Sequence, residues 1–436
     1  MGRSANTKTR YLIIGNSAGG IGSAEAIRQA DRTGPITIIS EEPYPAYSRP
    51  LISEYLSGRR SPREMLLRDT AFYSRNGIDC LLGRRALRLD VENRTVELDD
   101  GTSIGWEKLL LATGGTPIIP KVKGIDKKGV FTFTALDDAK AIRQQVPPDA
   151  TVAVIGGGLI GVSVSQALSQ RGNSVVMVEL MDRVLSAALD KRASRLVEKT
   201  LQAAGIDVVT GCAVEEIVGM AADEERVAAV LLNDGRRIEC QAVIAAIGVL
   251  PRTDLIAGTA VGTDRGIVVD RHMATSCSDI YACGDAAEAY DFVRGEEKLT
   301  PIWPNAYAGG RIAGLNMAGR PAVYEGTTNM NSFNYFGLPI ISAGIVEPPD
   351  LSSYKVLQSP MANGGTYQRI VLRDNRVVGM VFVGDIQSAG IVIGLMRTRA
   401  DVRGFQRSLV SGGLSLASPP GELRQAMLAQ AMPAAI

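Results

Sequence analysis

Two short glycine-rich stretches stand out as the places where this chain can hold a charged ligand. They are Gly15-Asn16-Ser17-Ala18-Gly19-Gly20 and Gly156-Gly157-Gly158-Leu159-Ile160-Gly161. A Gly-x-Gly-x-x-Gly turn at the start of a helix does a defined job. The first glycine makes a tight turn, the middle small residue lets a pyrophosphate approach the backbone, and the helix N-terminus offers free N–H groups and partial positive charge. In the first stretch Ser17 takes the middle position, which a side chain this small permits. Acids stand at the end of the strand that follows each turn, Glu41 with its neighbour Glu42 and Glu179, where a carboxylate accepts hydrogen bonds from ribose hydroxyls. Two dinucleotide sites are the chemistry these residues imply.

The elements needed to position such turns are present in both places. Tyr11-Leu12-Ile13-Ile14 reads as a fully buried strand, Ile21 to Ala30 as a helix and Ile36 to Ile39 as a second strand. The same plan returns with Thr151 to Ile155, a helix through Gln170 and Val175 to Glu179, an internal duplication. Arg94 to Leu98 belongs to a small antiparallel meander. Lys108 to Ala112 is a buried strand stopped by Thr113-Gly114-Gly115, and Ala242 to Ala246 runs likewise into Gly248. Beyond these, Ile340–Ile345, Tyr354–Leu357, Tyr367–Leu372 and Val377–Val383 read as an antiparallel sheet. Helices are expected near Gly390–Arg397 and Glu422–Met432. The expected architecture is α/β, two Rossmann-like dinucleotide-binding domains and a C-terminal α+β domain. The expected boundaries are 1–115 with 248–325, then 116–247, then 326–436.

Composition limits the alternatives. Of 436 residues, 45% are apolar and 21% charged, and the net charge of +1 gives no field that would attract nucleic acid or an anionic membrane. No apolar run is long enough to span a bilayer, and Met1 to Arg10 is polar and basic, so the cytoplasm is the expected compartment. The five cysteines include no C-x-x-C pair, and no metal site is expected. The single histidine, His272, lies before a Thr-Ser turn and reads as a surface residue. Chemistry must therefore come from what the protein binds.

Five segments together carry a family resemblance. They are Gly15 to Gly20, Pro43 to Ser53, Ala112-Thr113-Gly114-Gly115, Gly156 to Gly161, and Thr275-Ser276 through Asp279 to Asp285. The chain resembles FAD-dependent pyridine nucleotide–disulfide oxidoreductases, in the branch that holds rubredoxin and ferredoxin reductases, NADH oxidases and the flavin portion of nitrite reductases. That resemblance assigns the first turn to FAD and Gly156 to Gly161 to the nicotinamide cofactor, with Ala112, Thr113, Gly114 and Gly248 as further cofactor-binding positions. It implies that Glu41 or Glu42 holds the FAD adenosine ribose, and that Arg49 and Pro50 lie against the flavin. It further implies that Gly284 and Asp285, on a strand-to-helix turn, bind the ribityl chain, and that a helix starting near Ala306 caps the isoalloxazine ring. Asp285 as a plain helix N-cap is the competing reading. Trp303 and Tyr307 border the exposed flavin edge or simply pack around a helix start. Glu179 favours NADH over NADPH because it repels a 2′-phosphate, although Arg183 follows closely.

Two departures from the family pattern sharpen the expectation. Glu54 and Ser163 replace a Lys–Glu pair found in much of this branch. No cysteine occurs between Tyr44 and Gly58, where disulfide reductases and several oxidases of the family place one. The expected reaction is hydride transfer from NADH to FAD with no catalytic protein acid or base. Electrons would then pass to a one-electron carrier such as rubredoxin or ferredoxin, or to a metal-containing partner subunit. Formation of hydrogen peroxide and an apoptosis-inducing-factor-like redox sensor are the alternatives. The C-terminal region resembles the family's interface domain, which implies a homodimer; the apolar tail Ala426 to Ile436 docks on another subunit or, in the preferred reading, packs on its own domain.

Overall fold

A computed structural model describes residues 7–359, 366–410, 414 and 421. The expected helix at Glu422–Met432 and the tail after it lie outside the described residues. The chain divides into two compact units, residues 1–117 with 249–327 and residues 118–248 with 328–436.

The first unit is built on a parallel sheet in the spatial order Ile78–Leu82, Ile36–Ser40, Thr7–Ile14, Ser103–Leu111, Ile280–Ala282. Its central residues, Tyr11 to Ile13 and Leu109 to Leu111, are fully buried, which explains why they read as unbroken apolar runs. Strand Ser103–Leu111 does two jobs. Its first half pairs antiparallel with Thr95–Leu98, which pairs with Ala86–Asp90, and its second half pairs parallel with Ile280–Ala282. The last strand of the meander is therefore also a strand of the parallel sheet.

Two helices, Ala18–Ala30 and Trp303–Met317, pack with backbones in contact. A Cβ on Gly310 would stand 2.0 Å from the Gly19 carbonyl oxygen, and one on Gly314 would stand 2.4 Å from that of Ser23. Only glycine permits this approach. The second helix starts at Trp303, three residues ahead of the expected start near Ala306, because Pro304 supplies a favoured first-turn residue.

The second unit has a five-stranded parallel sheet in the order Ile206–Thr210, Ser174–Glu179, Thr151–Ile155, Ala242–Ala245, Val130–Thr132. Helices Leu136–Gln145, Leu159–Arg171 and Lys191–Ala203 accompany it. A three-stranded antiparallel sheet, Val214–Met220, Asp223–Leu232 and Arg237–Glu239, interrupts the chain before the last parallel pairings. Residues 328 onward form a five-stranded antiparallel sheet in the order Met330–Tyr335, Leu338–Gly344, Arg376–Val383, Tyr367–Arg373, Lys355–Gln358, with helix Ala389–Thr398 against it. The architecture is α/β with two Rossmann-like halves and a C-terminal α+β portion.

Candidate functional sites

In the first unit the glycine turn is closed by backbone contact. Gly15 sits at φ +118°, and a Cβ there would lie 2.0 Å from the Ala112 carbonyl oxygen. One on Gly20 would lie 1.9 Å from the Gly15 oxygen. Ser17 caps helix Ala18–Ala30 through its backbone only, so its hydroxyl and the first-turn N–H groups are not consumed by a side-chain cap. A small pocket opens at this helix start, lined by Asn16, Ser17, Ser40, Glu42, Tyr47 and Arg49 among others. Asn16 is fixed by a hydrogen bond from the Tyr73 hydroxyl to its Oδ1 (2.9 Å).

The charged residues expected around this turn separate into two groups. Glu42 faces the pocket, accepting from the Tyr47 hydroxyl (2.6 Å) and forming an ion pair with Arg49. Glu41 is half exposed and pairs outside the pocket with Arg252 (2.6 Å) and Arg85 (3.9 Å). Register adds a distinction the sequence hides. The N–H of Gly156 bonds to the Val178 carbonyl and Glu179 follows, whereas the N–H of Gly15 bonds to Ile39 and Ser40 follows. Ser40, not either glutamate, is the positional counterpart of Glu179; the two acids come one and two residues later.

Arg49 and Pro50 lie in a single 3-10 turn, Arg49–Leu51. Burial opposes the Arg49 charge, but Tyr47, Glu42 and Asp285 around it raise its pKa on balance. Burial likewise pushes the Asp285 carboxyl up, offset in part by Arg49. Among the described residues nothing donates a hydrogen bond to the half-buried Asp285 carboxylate, which leaves its acceptor capacity to solvent or a ligand. The turn carrying it, Gly284–Ala286, continues into strand Ala287–Asp291. It is therefore not the strand-to-helix turn the sequence suggested, and Asp285 caps no α-helix. Gly284 (φ +75°) instead brings the turn against Ala306, whose Cβ would be 3.3 Å from a Gly284 Cβ.

Near Ala306, Trp303 and Tyr307 stack on each other, ring centroids 5.8 Å apart and 2° from parallel. The Tyr307 hydroxyl donates to Glu25 (2.6 Å), which also pairs with Arg68. Ala112, Thr113 and Gly114 follow strand Ser103–Leu111. The Thr113 hydroxyl donates to the Arg252 carbonyl (2.7 Å), and Gly114, at φ +74°, has open space where a side chain would be.

The second unit repeats the first turn's interlock. A Cβ on Gly156 (φ +108°) would lie 2.5 Å from the Ala246 oxygen, and one on Gly161 would lie 1.8 Å from the Gly156 oxygen. Gly158, the cap of helix Leu159–Arg171, faces open space. Glu179 is pinned at both oxygens, accepting from the Gly157 N–H (2.5 Å) and the Met181 N–H (2.7 Å). Gly248, at φ +120°, accepts from the Ile118 N–H (2.9 Å) and is the last residue of its segment of the second unit. Leu159, expected at the turn, is exposed there together with Leu180, Met181 and Ile247, three apolar residues the sequence reading missed. The signal was there: an apolar residue follows directly after the cap glycine, the strand-ending acid and Ala246.

The remaining candidates are silent or altered. Glu54 pairs with Arg60 (2.5 Å), and the Ser163 hydroxyl lies 3.5 Å from that of Tyr335, whose pKa burial pushes up to about 12. Cys283 does pack on the first turn, 2.7 Å from where a Gly19 Cβ would be, but it is fully buried and burial pushes its thiol up to about 12. It is a packing residue, not a nucleophile. His272 is exposed in a turn with Nδ1 2.9 Å from the Ala322 carbonyl. Among the described residues no cluster of three His, Cys, Asp or Glu side chains forms a metal site, and no helix is long and apolar enough to cross a membrane.

Comparison with known proteins agrees with this geometry. Residues 9–310 match the family model of the pyridine nucleotide-disulphide oxidoreductases, and residues 330–400 match that of the rubredoxin NAD+ reductase C-terminal domain. The NADH-dependent phenylglyoxylate dehydrogenase subunit epsilon of Aromatoleum evansii is 31% identical over 94% of this chain and 96% of its own length. The nitrite reductase [NAD(P)H] of Bacillus subtilis (strain 168) is 31% identical over 91% of this chain, which spans only 48% of that larger protein. The crystal structure of NADH:rubredoxin oxidoreductase from Clostridium acetobutylicum superposes with a TM-score of 0.76 at 27% identity, covering 92% of this chain and 98% of the other.

Proposed function

The chain belongs to the pyridine nucleotide-disulphide oxidoreductase family, whose members use FAD and NAD(H), and from that premise we propose how its residues divide the work. The protein is an oxidoreductase that takes electrons from NADH through FAD to an acceptor. In our reading the Gly15–Gly20 turn and its pocket hold FAD, and the Gly156–Gly161 turn receives NADH. The acceptor is a one-electron carrier of the rubredoxin or ferredoxin kind, or a metal-containing partner subunit. The domain limits read from the sequence are retained, except that Gly248 goes with the NADH half. Residues 326–436 serve as the interface of a cytoplasmic homodimer.

The observation that carries this division is the unequal charge around two otherwise matching turns. Around the first, one arginine stands among the carboxylates Glu42 and Asp285, and the Asp285 carboxylate has no hydrogen-bond donor in the described protein. Such a residue fits the hydroxyl-rich ribityl chain of FAD, and Arg49 fits its negative charge. Around the second, Glu179 is already held by two backbone N–H groups and presents what remains of its acceptor capacity to ribose hydroxyls. When bound, FAD supplies the exchange between a two-electron donor and one-electron acceptors. The protein's part is to bind, orient and neutralise, and neither a histidine nor a reactive thiol is required for it.

Anaerobic titration of the FAD-reconstituted protein with NADH tests the assignment. Bleaching of the flavin absorbance by one equivalent, followed by rapid reoxidation with a rubredoxin or ferredoxin and slow reoxidation in air, is the expected result. Absence of flavin absorbance after reconstitution overturns it. Sedimentation of the purified protein at the monomer mass would remove the dimer proposal alone.

A further inference from the structure

Immediately after Glu179 the chain makes a short loop whose two ends are tied to the same peptide. The Glu179 carboxylate accepts from the Gly157 N–H, and the Leu185 N–H donates to the Gly157 carbonyl (2.8 Å). Leu185 adopts φ +53° to do so, a left-handed conformation that is unfavourable for a non-glycine residue and persists only where its surroundings enforce it. The residues between are thus fastened to the dinucleotide turn and border the ribose-binding acid. One of them is Arg183, the cation placed to welcome a 2′-phosphate.

Arg183 is not free to do so. Its side chain is only 11% exposed; Nη1 bonds to Asp182 (2.7 Å) and Nη2 to Glu347 (2.8 Å), while Nε is buried without a partner. Asp182 is shared with Lys191 (3.0 Å). Glu347 comes from the chain after strand Leu338–Gly344, far in sequence from the turn but in the same compact unit. A guanidinium with both terminal nitrogens on carboxylates has lost the two-pronged face that recognises phosphate.

We propose that Glu347 is a specificity-determining residue of the second unit: by engaging Arg183 it keeps the turn from accepting a 2′-phosphorylated dinucleotide. This rests on the reading of Gly156–Gly161 as the NADH turn and adds to it. Glu179 repels the phosphate directly, and Glu347 withholds the cation that would compensate. Glu347 touches neither cofactor in this scheme; it is a positioning residue acting through Arg183.

The test uses the full FAD-loaded chain and calorimetric binding of two probes, 5′-AMP and adenosine 2′,5′-bisphosphate. The wild type is expected to prefer 5′-AMP. In Glu347→Gln the preference should narrow by about tenfold through tighter binding of the bisphosphate, with 5′-AMP affinity kept within about twofold. Asp182→Asn, which frees the other guanidinium nitrogen, should narrow it in the same direction and serves if the first variant folds poorly. Adding Arg183→Met to Glu347→Gln should abolish the gain, an effect that loss of a merely structural ion pair would not produce. An unchanged probe ratio in a folded Glu347→Gln overturns the proposal, as does a gain that survives Arg183→Met. A wild type that prefers the bisphosphate instead defeats the NADH reading itself, and this is seen before any substitution is made.

Discussion

Replacing Gly310 by alanine separates packing from helix propensity, because the two predict opposite signs. Gly310 lies inside helix Trp303–Met317, where alanine alone would stabilise by about 1 kcal/mol. Its Cβ would stand 2.0 Å from the Gly19 carbonyl oxygen, inside the helix that carries the first glycine turn. Carbon and oxygen do not approach closer than about 3.0–3.3 Å, so the two helices must part by roughly 1 Å. The flanking contacts, Gly314 on Ser23 and Gly22 on Tyr307, resist that movement. Overpacking of this kind costs typically 1–3 kcal/mol and more where rigid backbone is the obstacle. Against the propensity gain, a cost at the upper end of that range leaves a net loss of about 1–2 kcal/mol, or a melting temperature lower by about 2–8 °C for a unit of this size. The same displacement moves Ala306 and the Gly284–Asp285 turn relative to the glycine turn, so FAD retention should fall with it. Calorimetric melting and the ratio of flavin to protein absorbance read both effects. Gly390→Ala, in a helix where a Cβ meets nothing within 4 Å, is the control and should leave both unchanged or slightly improved. A Gly310→Ala protein that melts at or above the wild-type temperature with full FAD would refute the packing argument.

Three further outcomes follow from other sites. Glu179→Ala should weaken NADH binding by about tenfold or more while FAD content is unchanged, since it removes a charged acceptor from one turn only; fluorescence titration with NADH reads it. Asp31 is held down to about 2 by backbone hydrogen bonds from Gly34 and Thr33, with help from Tyr11 and Arg10. Because its folded pKa lies below its unfolded value, it contributes stability at pH above about 4 that is lost as the pH falls toward 2. Asp31→Asn should therefore flatten the stability profile across that window and lower stability at neutral pH, as denaturant melts would show. Tyr367→Phe removes the hydroxyl that donates to the buried Asp190 (2.8 Å), whose other oxygen already lacks a partner. A loss of about 1–3 kcal/mol in the second unit is expected, and no loss would mean that Arg369, 3.6 Å away, suffices for the carboxylate.

The two turns were legible because their glycines answer to a backbone need that no other residue meets. Gly20 and Gly161 stand 1.9 and 1.8 Å, as virtual Cβ atoms, from the first glycine's carbonyl, and a sequence must keep glycine there. The buried parallel strands were legible for a related reason, as uninterrupted apolar runs have few other uses. Residues whose role depends on distant chain were harder. The glycines of helix Trp303–Met317 look like weak helix formers until helix Ala18–Ala30 is laid against them. Asp285 was found, but its turn leads into a strand because Ala287–Asp291 pairs with Glu296–Leu299; buried acids, Glu288 and Asp291, break the apolar pattern of the first strand, and the turn from Arg294 to Glu297 is exposed and charged. The hairpin Val214–Leu232 was hidden by register shifts that break alternation. Which of Glu41 and Glu42 faces the first pocket depends on Arg252, some two hundred residues away, drawing Glu41 outward. Glu347 gave no sign at all, since nothing local links it to Arg183.

The division of the first unit into two chain segments also fixes an order of events at the ribosome. Residues 1–117 emerge with strand Ser103–Leu111 open on the side that Ile280–Ala282 later fills, and with the glycine face of helix Ala18–Ala30 uncovered. The whole of residues 118–248 must then be made, which at ordinary elongation rates takes roughly ten to twenty seconds. The parallel sheet of the second unit is complete within that interval, before its antiparallel C-terminal sheet exists. The parallel sheet of the second unit therefore takes shape first, while the first unit waits as an exposed edge for its last strand and its second helix. Completion of the first unit is thus a late event in the life of each chain, and the long-lived open edge is where nascent copies are most exposed to chaperones and to one another.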